Sequence, residues 1–149
     1  MSENSNLPMH QTLEQARAKA AWTLVKGVKK NDILKYKTLV KRFPALVNHN
    51  GLGQSVSFLF AKKGDNAEGQ LMAHLSQWLM QSNQNENASC YTPPYRDSYS
   101  PGTPGKLIEC ITNYDSRAYI QATREALTFL DYLRRFADGL SEDNTPKEK

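Results

Sequence analysis

From Leu13 onward the chain sets apolar residues at helical spacing and polar ones between them. Leu13, Ala20, Leu24 and Val28, with Ala16 and Ala21 beside them, fall within one stripe at a 3.6-residue period, and Thr12 stands where a cap is needed. The pattern predicts a first helix from Leu13 to near Lys30. Lys19, Lys26 and Lys30 share its wet side. Trp22 sits near them, as a packing group or as a flat surface offered to a base or a partner.

Asp32 is the expected cap of a second helix, whose stripe Tyr36, Leu39, Val40 and Phe43 continues in phase through Leu46 and Val47. Pro44 removes one ladder hydrogen bond, which predicts a kink or short break at Phe43-Pro44. Lys37 and Lys41 share one flank, and Lys35 and Arg42 lie across from the apolar side. Asn48-His49-Asn50-Gly51 then closes the helix, with Gly51 able to adopt the left-handed conformation. A third helix begins within Gly51 to Gln54 and runs to about Lys63, burying Leu52, Val56, Leu59 and Phe60. Two readings of Gly51 and Gly53 stand side by side: close packing of helix backbones, or approach of a phosphate to unpaired amides.

After the turn Gly64-Asp65-Asn66, the residues Leu71, Leu75, Trp78 and Leu79 predict a helix from Ala67 to Gln81, with His74 on it as a surface or satisfied core imidazole. Ser82 to Gly105 changes character. Its prolines and tyrosines, with few aliphatics, predict an exposed loop over 83–105. A short helix follows from Leu107 to about Thr112. The longest starts near Asp115 or Ser116 and persists to about Gly139, on a stripe of Ala118, Ala122, Phe129, Leu133, Phe136 and Leu140 flanked by Ala126 and Tyr119.

These elements predict an all-α fold: a compact multi-helix bundle of about five to six helices with a long C-terminal helix and a Pro/Tyr-rich surface loop. The 149 residues suit a single helical domain over 12–140, between a flexible N-terminal tail, 1–11, and a disordered C-terminal tail, 141–149.

The composition narrows the chemistry. No apolar run approaches the roughly 20 residues that cross a bilayer, and Met1 to Met9 lacks the regions of a secretory signal, so the expected location is cytoplasmic with no membrane contact. Cys90 and Cys110 lack a CxxC spacing and read as free thiols. His10, His49 and His74 follow no metal-binding pattern. No metal, no cofactor and no catalytic residue is expected, and the protein reads as a non-enzyme.

Charge adds a direction. Residues 13–63 hold eleven basic side chains against Glu14 and Asp32, a net +9 within a chain whose total is +4. The alternatives are a polyanion-binding face and a solvated lysine-rich surface that binds nothing. On the long helix Arg117, Arg124 and Arg135, seven and eleven residues apart, project along one solvent side, as a row that tracks a phosphate chain would. Arg134 points elsewhere, toward Leu127 and Ile120. Arg17 lies in or beside the dry stripe of the first helix, and Glu125 lies at the margin of the last helix's stripe. A guanidinium there needs a partner, and the two are expected to form a semi-buried structural ion pair.

Four features appear in a fixed order: Arg17-Ala18; Tyr36; Pro44-Ala45-Leu46-Val47-Asn48-His49-Asn50-Gly51-Leu52; and a carboxyl helix over Glu125 to Ala137. In this order and spacing the chain resembles, over about residues 12–140, the small helical subunit of the type III-B CRISPR (Cmr) RNA-silencing effector complex. The resemblance implies a subunit present in several copies, stacked within a ribonucleoprotein used in antiviral defence. It further implies contact with the guide RNA and target RNA backbones and with other Cmr subunits, cleavage belonging to a neighbour. RNA contacts would come from Lys19, Lys26, Lys30, Lys37, Lys41, Arg42, Arg117, Arg124 and Arg135. The alternative keeps the same fold as a protein-only helical spacer that never touches RNA.

Overall fold

A computed structural model describes residues 11–81 and 91–144. The expected N-terminal tail falls almost wholly outside these residues, as do Cys90 and residues 145–149. Helix α1 (Leu13–Lys26) opens on a reciprocal cap: Thr12 Oγ1 accepts from the Gln15 amide at 3.0 Å, and Gln15 Oε1 accepts from the Thr12 amide at 2.9 Å. Two amides that every helix start leaves unpaired are satisfied in this way. The helix ends at Gly27, earlier than the expected Lys30, and a 3-10 turn, Lys30–Asp32, follows. Its buried residues are Ala16, Ala21 and Val25, small enough to bring α1 close to its neighbours.

Helix α2 (Ile33–Lys62) departs from expectation at both of its predicted landmarks. Asp32 precedes it without a side-chain capping bond, because its carboxylate accepts from Gln70 Nε2 at 2.9 Å instead. The backbone stays helical through Phe43-Pro44. Pro44 forgoes one hydrogen bond, but its fixed φ suits a helix, and buried Phe43 and Val47 hold the ladder on either side. The break comes at Gly51, with φ 89° and ψ 159°, a region that favours glycine. The corner is sharp. In a straight helix Leu39 and Phe58, nineteen positions apart, would lie about 28 Å from each other, yet they line one small surface cleft.

Asn66 caps α3 (Ala67–Leu79), accepting from the Gly69 amide at 2.8 Å. Strand β1 (Met80–Gln81) follows and pairs in parallel with β2 (Tyr95–Ser98), the one sheet among the described residues. Helices α4 (Lys106–Asn113) and α5 (Ser116–Asn144) complete the chain. The architecture is all-α, with five helices among the described residues: α2 packs against α3, α4 and α5, and α5 packs against α1, α2 and α3. Lys37 meets Asp138 at 3.3 Å while Gly53 meets Tyr119, so α5 runs antiparallel to the first part of α2. Helix α1 lies along another side of α5, through Arg17 to Glu125 and Trp22 to Phe136.

Of the proline- and tyrosine-rich segment, residues 91–105 are described, and Thr92, Arg96, Ser98 and Ser100 to Thr103 are exposed, as its composition predicts. Three of its residues nonetheless enter the core: Tyr91, Pro93 and Tyr95 are buried. Tyr91 stacks on Trp78 at 4.0 Å and 4°, Phe129 stacks on Trp78 at 4.8 Å and 5°, and the Tyr91 hydroxyl donates to the Trp78 carbonyl at 2.7 Å. Few aliphatics are needed where aromatic rings supply the buried area. Helix α5 also outruns its expected end near Gly139, continuing to Asn144 with Ser141 buried.

Candidate nucleic-acid interface

The long helix α5 sets the geometry of the basic surface. Its buried residues Ala122, Ala126, Phe129, Leu130, Leu133 and Ala137 fix the dry side. The 3.6-residue period then turns Arg117, Arg124 and Arg135 outward on a common line, and all three are exposed. Helix α1 borders this line on one side and the first part of α2 on the other. Arg135 is tied to Asp131 at 3.3 Å, and Arg134 donates to the same carboxylate at 2.7 Å. These two arginines hold the Asp131 carboxyl below the usual carboxylate range, Arg134 having the larger effect. Arg117 and Arg124 have no carboxylate within 4.0 Å among the described residues.

On α2, Lys37 and Lys41 lie one turn apart on the flank toward α5. Lys37 is engaged by Asp138, and Lys41 is exposed without an ion-pair partner among the described residues. Arg42 is not with them. It lies on the other flank, lining a cleft with Leu39, Ala45, Leu46, His49 and Phe58. On α1, Lys19 and Lys26 are exposed together, and Lys26 Nζ lies 5.6 Å from the Trp22 ring centre. Trp22 itself packs edge-on against Phe136 at 5.3 Å while remaining 40% exposed. Lys30 stands in the turn before α2, next to Lys29, which pairs with Asp65.

The nine cations therefore divide. Lys41, Arg117, Arg124, Arg135 and the engaged Lys37 line α5 and its α2 border, Lys19 and Lys26 extend along α1, and Lys30 and Arg42 stand apart. Helical wheels place residues on one helix and cannot say which flank of a bent α2 meets which neighbour. Two further cations, Lys62 and Lys63, lie over aromatic rings, Phe58 at 5.7 Å and Phe60 at 3.9 Å. Their signal was the i,i+4 and i,i+3 aromatic-to-lysine spacing.

The glycine pair serves packing. Gly53 donates its amide to the Tyr119 hydroxyl at 3.2 Å, and a Cβ on Gly51 would lie 3.1 Å from that same oxygen. The hydroxyl thus fills the place a phosphate would take at this helix start.

Other reactive side chains are absorbed into the core. His74 shares a 2.6 Å hydrogen bond with the Tyr36 hydroxyl, and burial pushes its pKa down to about 4. Burial, with help from Asp97, pushes the Cys110 thiol up to about 12, which makes it a poor nucleophile at neutral pH. Among the described residues no group of three or more His, Cys, Asp or Glu could hold a metal ion. No helix among them is long and apolar enough to cross a membrane.

The class defined so far is a small helical protein with a basic exposed surface and a closed core. Within that class its membership is specific. The family of CRISPR-associated proteins described as Cas_Cmr5 matches residues 13–140, and the chain belongs to it. That is the family of the small subunit of the type III-B CRISPR (Cmr) complex.

Proposed function

We propose that this subunit is a non-catalytic element of a cytoplasmic, RNA-guided RNA-silencing ribonucleoprotein used in antiviral defence. Several copies stack within the assembly, and each presents the line Arg117, Arg124 and Arg135, with Lys41 beside it and Lys19 and Lys26 on α1, to the guide and target RNA backbones. The observation that carries this reading is the outward row of arginines on the long helix α5, two of them without an acidic partner among the described residues. Lys37 contributes where Asp138 releases it, Lys30 stands at the periphery, and Arg42 faces elsewhere. Contacts to phosphates position RNA without reading its bases, so target choice rests with guide pairing.

Reversing Lys26 and Lys41 to glutamate tests the surface. RNA affinity of the assembled complex should fall, and undiminished affinity would contradict the reading.

A second reading, a protein-only spacer, draws on the exposed apolar residues Leu34 and Ile120, 56% and 52% accessible. Ultraviolet crosslinking of the assembled complex separates the two. RNA adducts on this subunit favour the first reading, and protein adducts alone favour the spacer.

A further inference from the structure

Two surface clefts on α2 are parts of one groove. The first is lined by Leu39, Arg42, Leu46, His49 and Phe58, and the second by Leu34, Lys35, Leu39, Arg42 and Glu68, so they share Leu39 and Arg42. From Leu34 to His49 the groove follows fifteen positions of α2, about 22 Å at the helical rise. Its floor is apolar: Leu34 is 56% exposed, and Leu46 and Phe58 are only partly buried against the core. Its rim is cationic. Lys35 and Arg42 are exposed, Lys62 lies over the Phe58 ring, and none of the three has a carboxylate within 4.0 Å among the described residues. Among the described residues that line the groove, Glu68 is the one acid.

We propose that this groove is the docking site for an amphipathic helix of about four turns, with acidic residues flanking its apolar stripe, from a different protein. Length, shape and charge each point there. A groove of this length accepts the i, i+3, i+4, i+7 anchors of one helix, and the unpaired cations favour carboxylates at the rim. RNA is the poorer fit, because a phosphate backbone would leave Leu34, Leu46 and Phe58 facing water. A second copy is also a poor fit. Among the described residues the exposed large apolar side chains outside the groove are Trp22 on α1 and Ile120 on α5, which stand singly and offer no stripe of four turns. The inference is independent of RNA contact at α5.

A photoreactive benzoylphenylalanine in place of Ala45, a residue lining the groove, tests it in the assembled type III-B complex. The expected adduct is a peptide of another protein, with apolar residues at three- and four-residue spacing and a surplus of Asp and Glu. Leu34→Glu or Arg42→Glu, at exposed positions, should lower the adduct yield by about tenfold while the RNA affinity of the complex is unchanged. An adduct to RNA, to another copy of this chain or to a basic segment overturns the proposal. So does the absence of any adduct, or a yield indifferent to both substitutions.

Discussion

Arg17 and Glu125, 108 positions apart, meet in a two-pronged ion pair: Nε donates to Oε2 at 2.6 Å and Nη2 to Oε1 at 2.9 Å. Trp78 Nε1 donates to Oε2 at 2.7 Å, so one carboxylate ties α1, α3 and α5 together. The hydrogen bond to Glu125 raises the Arg17 pKa further, keeping the guanidinium charged at any accessible pH. With the two side chains only 19% and 11% exposed, removing the acceptor strands three donors, Arg17 Nε and Nη2 and Trp78 Nε1. Glu125→Ala should cost about 2–4 kcal/mol and Glu125→Gln, which keeps one acceptor oxygen, about 1–2 kcal/mol. Urea denaturation of the full chain measures both, and unchanged midpoints would remove this pair from the account of stability.

The corner in α2 makes opposite predictions for two glycines two positions apart. Gly51 has φ 89°, where a side chain is strained, and its Cβ would crowd the Tyr119 hydroxyl at 3.1 Å. Gly53 has an ordinary φ, and its Cβ would meet Ile111 at 3.6 Å, a normal contact. Gly51→Ala should therefore destabilise by about 1–3 kcal/mol, whereas Gly53→Ala should be neutral or stabilise by up to about 1 kcal/mol. Thermal unfolding of the two variants gives the comparison.

Acid should weaken the fold through His74. Its pKa of about 4 in the folded chain lies below the ordinary 6.5, because burial disfavours the charged ring. Between those two values the unfolded chain binds a proton that the folded chain refuses. Stability from this group is complete above about pH 6.5, declines as the pH falls toward 4, and totals about 3 kcal/mol. His74→Leu should be less stable at neutral pH, since it cannot bond to Tyr36, but its stability should fall less steeply across this window. Parallel slopes for the two proteins would contradict the assignment.

Tyr91 closes one face of Trp78. Tyr91→Ala should cost about 2–4 kcal/mol through reduced stacking and burial, and the exposed indole should shift its fluorescence to longer wavelength. An unchanged emission spectrum would mean that Tyr91 does not cover Trp78 in solution.

Much of this architecture was legible in the pattern of residues. The stripe Tyr36, Leu39, Val40, Phe43 and Val47 announces a buried helix, and Ala122, Phe129 and Leu133 announce another, because periodicity and burial have a common cause. The corner at Gly51 was visible in Asn48-His49-Asn50-Gly51. No break occurs at Phe43-Pro44, where the backbone stays helical because packing around Phe43 and Val47 outweighs the absence of one hydrogen bond. Tyr91 and Tyr95 looked like loop residues, since their burial depends on the distant rings of Trp78 and Tyr114 that no local pattern encodes. The same limit applies to the basic surface. The row Arg117, Arg124 and Arg135 follows from one helix's period, whereas the separation of Arg42 from Lys41 depends on how bent α2 lies against α5 and on where Phe58 returns.

The salt dependence of target-RNA binding by the assembled complex is the most direct measurement of RNA contact along α5. Replacing Arg117, Arg124 and Lys41 by alanine should weaken binding at low salt and flatten the slope of log affinity against log salt by about 0.7–0.9 for each phosphate that a copy ceases to neutralise. Circular dichroism should show the helices intact. A variant complex with the same slope and the same affinity as the parent would contradict the claim that these side chains hold the RNA backbone.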